Sequence, residues 1–201
     1  MVDLARPEQE ILAGMSASVR RYVRQAVKLG LVAEVCGEAE FADEYYAQLT
    51  EVFARQGLVP TYGVDRVRAL IRALGPAGQV LLLRVRTDAI PSLATAIVVG
   101  RGRTAVLWGM ASYRSHLGLH PNEPLHFEAM RHWRAHGASR YDMVGGGDYK
   151  AAYGGSETVW THLHRSRFPG LPAARSAYRS VVRVRQIMVG RRRRGRREGD
   201  P

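Results

Sequence analysis

Apolar residues recur at helical spacing near the start of this chain. After Ser16 or Ser18, either of which can act as N-cap, Val19, Tyr22, Val23 and Ala26 fall at i, i+3, i+4 and i+7, and Gly30 supplies a stop. Arg20, Arg21, Arg24 and Lys28 occupy the opposite face. A short apolar run, Leu31–Cys36, reads as a strand. Beyond Gly37, a second helix carries Phe41, Tyr45, Leu49, Val52 and Phe53 on one face and ends at Gly57. A loop through Pro60, Tyr62 and Gly63 leads to a third helix, marked by Val64, Val67, Ile71 and Leu74 and closed by Gly75 and Pro76.

Three strands come next, over residues 79–86, 93–100 and 104–111, the last two close enough to form a hairpin. A helix over residues 125–136 turns Phe127, Met130 and Trp133 toward the core and stops at Gly137. Residues 140–144 and 158–165 read as further strands, on either side of a glycine-rich element. Residues 1–15 carry little pattern apart from Ile11 and Leu12. This order predicts an α/β fold with a mixed central sheet flanked by helices. Three strands in succession argue against a doubly wound sheet, where strand and helix would alternate.

Length and composition narrow the class. A chain of 201 residues can bury roughly 70% of its unfolded surface in one domain. It has no apolar run of 18 residues, so no transmembrane helix is expected, and its first residues lack the pattern of a signal peptide. The single cysteine, Cys36, excludes an internal disulfide and a multi-cysteine zinc site, and fits a reducing cytoplasm. At the end of an apolar run it reads as a small buried hydrophobe. The net charge is +12, and residues 191–200, with six arginines against one Glu and one Asp, account for only +4 of it. A basic body points to a polyanionic partner such as RNA, a phosphorylated substrate or an anionic membrane face, or simply to an arginine-rich surface.

The candidate chemistry centres on residues 141–155. A short strand end breaks into Gly145, Gly146 and Gly147, then presents Asp148, Tyr149 and Lys150 before Gly154 and Gly155. Glycine clusters allow positive φ and close backbone approach. Of the 30 basic residues only Lys28 and Lys150 are lysines, so a lysine here is either an ordinary turn residue or one kept for its compact charge. No phosphate-loop or dinucleotide fingerprint accompanies these glycines, and no Gly-x-Ser-x-Gly elbow exists. The pairs His132/His136 and His162/His164 lack a third ligand, so no metal site is expected.

The order of elements looks like a GNAT acyltransferase domain, and four segments point to one branch of it. Residues 20–32 resemble the Arg-x-x-Ile-Arg-Lys-Ala-x-x-x-Gly-Val segment of Fem-type aminoacyltransferases. Pro124–Met130 is similar to their Pro-x-x-Leu-x-Trp-x-x-Ile, Tyr141–Gly146 to their Tyr-Asp-Phe-Gly-Gly, and Tyr149–Gly155 to their Phe-Lys-x-x-Phe-Gly-Gly. The resemblance spans about residues 2–165. It implies a GNAT-like fold and transfer of an amino acid from aminoacyl-tRNA to an amine of a peptidoglycan precursor. It further implies a catalytic Lys150 near the acyl carbonyl, with substrate contacts from Tyr149, Gly146, Gly147, Arg55 (within Phe53–Gly57) and Trp108 on the central strand.

Two departures shape these expectations. Fem-type enzymes have two GNAT-like domains, and residues 1–15 resemble the stretch leaving the first, which implies a separate first-domain partner. The segment Ser115–Pro121, with a single glycine, stands where ordinary GNAT enzymes carry their pyrophosphate loop, so acetyl-CoA is disfavoured and no cofactor is implied. The expected organisation is a linker remnant at 1–15 and a GNAT-like domain at 16–168. A basic amphipathic helix follows within 169–189, with Tyr178, Val181, Val182 and Met188 against Arg175, Arg179, Arg183 and Arg185, and then a disordered arginine tail at 190–201. The alternative is a non-catalytic half-domain binding RNA or an anionic membrane through its basic C-terminus. Either reading places the chain in the cytoplasm, where it could lie against the inner membrane face.

Overall fold

The three consecutive strands form the centre of one sheet. The computed structural model describes residues 1–145 and 148–159, together with 170, 173–174, 176–178 and 180–181. Within it, β1 (Val2–Asp3), β2 (Val32–Val35), β3 (Val80–Arg86), β4 (Ala94–Arg101), β5 (Thr104–Ser112) and β6 (Arg140–Asp142) form a six-stranded sheet in the order β1-β6-β5-β4-β3-β2. Every pairing is antiparallel except β5 with β6. The predicted hairpin is present, with Arg101 opposite Thr104. The mixed sheet flanked by helices is the fold class that the sequence predicts.

The central strands are buried on both sides, which requires two helical layers. One layer contains α1 (Glu8–Gly14), α2 (Ala17–Lys28) and α5 (Asn122–Ala135). Their core includes Ile11, Val19, Ala26, Leu81, Leu83, Leu125, Met130, Trp133 and Tyr141. Met130 and Trp133 are buried and Phe127 is half-buried against the same core. The other layer contains α3 (Glu38–Arg55) and α4 (Val64–Leu74), packed through Phe41, Tyr45, Leu49, Val67 and Ile71 onto Leu82, Ile97 and Ala111. A polar chain also fixes α3 on β4. Buried Thr95 donates to Gln48 Oε1 at 2.7 Å, and Gln48 donates to Ser92 at 2.7 Å.

Local rules account for most boundaries. Ser16, rather than Ser18, caps α2, its hydroxyl accepting the Val19 N–H at 3.3 Å. Helix α5 starts at Asn122, three residues before the Leu125 expected from the sequence. Pro124 falls in its first turn, where the missing N–H had no helical partner in any case. Residues 1–15 hold more structure than their pattern suggests, namely β1 beside β6 and α1 packed through Ile11. A further single-turn helix, α6 (Asp148–Ala151), follows the glycine element. Residues 158–159 have no regular structure, and the rest of the expected 158–165 strand lies outside the described residues. Residues 173–174, 176–178 and 180–181 are helical, while the other residues of the expected 169–189 helix, apart from 170, and the 190–201 tail lie outside the described residues. No described helix is long and apolar enough to cross a membrane.

Close packing of α5 on the sheet depends on Gly100. The indole of Trp133 lies where a Cβ at position 100 would stand. Gly100→Ala should therefore destabilise the fold by about 1–3 kcal/mol through overpacking. The measurement is the shift in urea midpoint at unchanged slope, and a wild-type midpoint would show that the indole moves aside freely.

Candidate active site

Strands β5 and β6 pair in parallel over only three positions, Thr104–Val106 against Arg140–Asp142. Beyond these, β5 continues to Ser112 along β4, while the chain after Asp142 turns away. The carboxyl ends of the two strands thus separate, and the turn after β6 stands at that opening.

The turn is strained and held on both sides. Val144 adopts φ +55° and Gly145 φ +71°. A β-branched residue at positive φ costs on the order of 1–3 kcal/mol and persists only where its surroundings hold it there. Asp142 Oδ1 accepts the Val144 N–H at 2.8 Å, and the Lys150 ammonium donates to the Val144 carbonyl. A Cβ at Gly145 would lie 3.3 Å from Lys150 Nζ, so a glycine leaves the ammonium its room. The second glycine pair packs the element onto the N-terminal segment. Gly154, at φ +76°, would place a Cβ 2.8 Å from the Gly14 carbonyl oxygen, and Ser16 N–H donates to Ala152 O at 2.7 Å.

Beneath this turn lies a buried polar cluster absent from the sequence reading. His126, on the buried face of α5, is fully enclosed. Its Nδ1 is 3.2 Å from the Tyr141 hydroxyl and its Nε2 is 2.9 Å from that of Tyr149. The ring of Tyr153 is tilted against it at 4.6 Å between centroids. Burial, with the positive charge of Lys150 adding to it, lowers the His126 pKa to about 3, so the imidazole is neutral at physiological pH. Burial, with the negative charge of Glu123 adding to it, pushes the Tyr149 phenol up to about 12. The signal for this cluster was a histidine at an apolar position of a helix and three tyrosines within residues 141–153.

The start of α5 is occupied from within the chain. Arg114–Leu119 forms a 3₁₀ segment, His120 sits at φ +53° and stacks on Tyr22 at 3.4 Å, and Glu123 stands in the first turn of the helix. Burial raises the Glu123 pKa, against the opposing effects of its own backbone N–H and of His120.

The remaining expected site residues lie on the other layer. Between Ile97–Gly109 and Val98–Leu107 the register of β4 and β5 shifts, which makes Trp108 the extra residue of a β-bulge. Trp108 turns to the α3–α4 layer, against Tyr62 at 5.0 Å and Tyr45 at 6.2 Å. The Tyr45 hydroxyl then fills the space a side chain at Gly109 would need. Arg55 closes α3, just after Val52 and Phe53 of that same cluster. The structure thus brings Tyr149 and Lys150 together at the glycine turn and groups Trp108 with Tyr45 and Tyr62. Gly146 and Gly147 lie outside the described residues. Cys36 is half-buried and its thiol is pushed up to about 11, mainly by burial. Among the described residues, no three His, Cys, Asp or Glu side chains are placed to hold a metal ion.

The His126 shift has a consequence for acid stability. Its folded-state pKa lies below the ordinary 6.5, so as pH falls the unfolded chain takes up a proton that the folded chain refuses until about pH 3. The contribution is complete above about pH 6.5 and is lost toward pH 3, at up to about 1.4 kcal/mol per pH unit. His126→Gln should flatten that part of the urea-midpoint profile. An unchanged profile would show that His126 gains its proton without unfolding.

Comparison with known proteins places the chain in a family. The structure of FemX superimposes with a TM-score of 0.67 at 16% identity, over 88% of this chain and 57% of that one. A predicted acetyltransferase with acetyl-CoA from Clostridium acetobutylicum gives 0.54 at 11% identity, over 67% of this chain and 96% of that one. The C-terminal domain of a putative lysylphosphatidylglycerol synthetase from Agrobacterium fabrum gives 0.51 at 17% identity, over 71% of this chain and 44% of that one. These likenesses show the fold, and the chain spans less than two thirds of the FemX length. None of the curated proteins matches the chain in sequence. The acetyltransferase (GNAT) domain model matches residues 13–153, well over half of the sequence, and the chain belongs to that family.

Proposed function

We propose that this GNAT domain is an acyltransferase of the Fem type, moving an amino acid from aminoacyl-tRNA to an amine of a peptidoglycan precursor. The observation that carries the choice of donor is the start of α5. A helix N-terminus attracts anions through its unpaired N–H groups and its dipole. Here the chain's own Glu123 stands in that first turn, its carboxyl 3.9 Å from the His120 ring, behind a segment folded as a 3₁₀ turn. A pyrophosphate-bearing donor would have to displace it. An aminoacyl ester needs no pyrophosphate site, and the +12 charge of the chain suits an RNA carrier. The likeness to FemX supports the same reading.

Lys150 is the proposed catalytic residue. An ammonium has three donors, and the Val144 carbonyl takes one. In this role it offsets the charge that develops on the acyl oxygen as the acceptor amine adds to the carbonyl. Tyr149, the glycines 146 and 147, Arg55 and Trp108 are proposed substrate contacts, the last two on the α3–α4 side of the sheet. A partner supplying the first domain and an anionic membrane surface beside the basic C-terminus complete the proposal.

The test is transfer of a labelled amino acid from aminoacyl-tRNA to a peptidoglycan precursor, beside a parallel reaction with acetyl-CoA, with a first domain supplied in cis or in trans. Transfer from acetyl-CoA alone would overturn the proposed donor. Lys150→Met should lower the rate about 10²–10³-fold with the fold intact, and Lys150→Arg should restore little, because a planar fork does not fit a place shaped for an ammonium. Wild-type turnover by Lys150→Met would remove the lysine from the mechanism.

A further inference from the structure

The geometry points to His126 as a positioning residue: bridging Tyr141 and Tyr149, it fixes the Tyr149 hydroxyl so that its hydrogen faces outward, toward an oxygen of the bound acyl donor. This rests on the acyl-transfer reading above.

The argument starts from the deepest member of the chain. Tyr141 is fully buried, and among the described residues its hydroxyl has one partner, Nδ1 of His126 at 3.2 Å. A buried hydroxyl hydrogen needs an acceptor, and Nδ1 is the one within reach. Nδ1 must then be unprotonated. A neutral imidazole carries its single hydrogen on the other nitrogen, so Nε2–H donates to the Tyr149 oxygen across 2.9 Å. The Tyr149 hydrogen is thereby directed away from His126. Tyr149 is 49% exposed and stands next to Lys150 and the strained turn at the opening between β5 and β6, and the acceptor proposed for that hydrogen is a substrate oxygen on this side. The opposite tautomer would turn the Tyr149 hydrogen inward and leave the Tyr141 hydrogen without an acceptor.

The surroundings keep the chain in this state. His126 is fully enclosed beside the Lys150 charge, both of which oppose an imidazolium that would donate at both nitrogens. Burial first, and then the negative charges of Glu123, from the first turn of α5, and of Asp142, beside Tyr141, favour the protonated phenols. Tyr149 is therefore held as a neutral donor, one residue before the lysine proposed to act on the same acyl group.

Two measurements test the assignment. The first needs no substrate: long-range ¹H–¹⁵N correlation in the ¹⁵N-labelled chain, with the His126 signals identified by their loss in His126→Gln. The expected result is a neutral imidazole protonated at Nε2 from pH 8 down to pH 5. Protonation at Nδ1, or an imidazolium appearing near pH 6, overturns the proposal. The second uses the aminoacyl-transfer assay. Glutamine can place an amide donor where Nε2 lies and asparagine cannot, so His126→Gln should stay within about tenfold of wild type. His126→Asn should lose about 10²–10³-fold in kcat with KM little changed, matching Tyr149→Phe and adding nothing to it. Wild-type kcat in His126→Asn, or losses that multiply in the double variant, would overturn the positioning role. If the unaltered protein transfers nothing from aminoacyl-tRNA, the proposed function falls on its own, and the tautomer still decides whether His126 sets the Tyr149 hydrogen.

Discussion

Three residue pairs between β5 and β6 join the β1–β6 edge to the rest of the sheet. They form the only parallel contact among the described strands, and parallel strands need a crossover, which α5 supplies. Because the contact is short, each strand is free to do something different beyond it. β5 continues along β4, with a bulge that sends Trp108 to the α3–α4 layer. The chain after β6 turns sharply at Val144 and presents Tyr149 and Lys150. A longer parallel ladder would close the opening between the strands.

The crossover helix also sets the electrostatics. Its first turn carries Glu123, its second His126, and its last part Trp133 over Gly100. The close approach of the indole to Gly100 brings α5 down on the sheet, which encloses His126 between Tyr141, Tyr149 and Tyr153. Enclosure keeps that imidazole uncharged. The neighbouring positive charge belongs to Lys150, held at the turn by the Val144 carbonyl. A glycine under an indole thus lets the helix that carries His126 lie close on the sheet.

Much of this was legible in the sequence, for reasons that differ by element. The long helices and central strands show their bounds to within a few residues, because burial on one face imposes a period and glycine or serine marks the ends. Strand β1, helix α1 and helix α6 have two, seven and four residues, too few for a period to appear. The bulge at Trp108 depends on which residue of β4 lies opposite, and a single strand does not contain that information. A tryptophan beside a glycine inside a strand was the available sign of it. His126 was overlooked because its partners come from positions 141, 149 and 153, which are distant in sequence and adjacent only after β6 pairs with β5. Lys150 was singled out through composition, and the structure ties it to the glycine turn rather than to Trp108 and the end of α3, where Arg55 lies.

That placement bears on why a chain with 28 arginines has a lysine at position 150. The side chain curls back within six residues to the Val144 carbonyl, passing under Gly145, where even a methyl group would lie 3.3 Å from its nitrogen. An ammonium can meet one carbonyl with one of three equivalent donors and still turn the others elsewhere. A guanidinium is flat, larger and fixed in its donor directions, so it would press on the Gly145 backbone or leave the Val144 carbonyl. The strained φ of Val144 points the same way, since two bonds, one from Lys150 and one to Asp142, keep that residue in a conformation its β-branched side chain disfavours. The turn and the lysine therefore depend on each other.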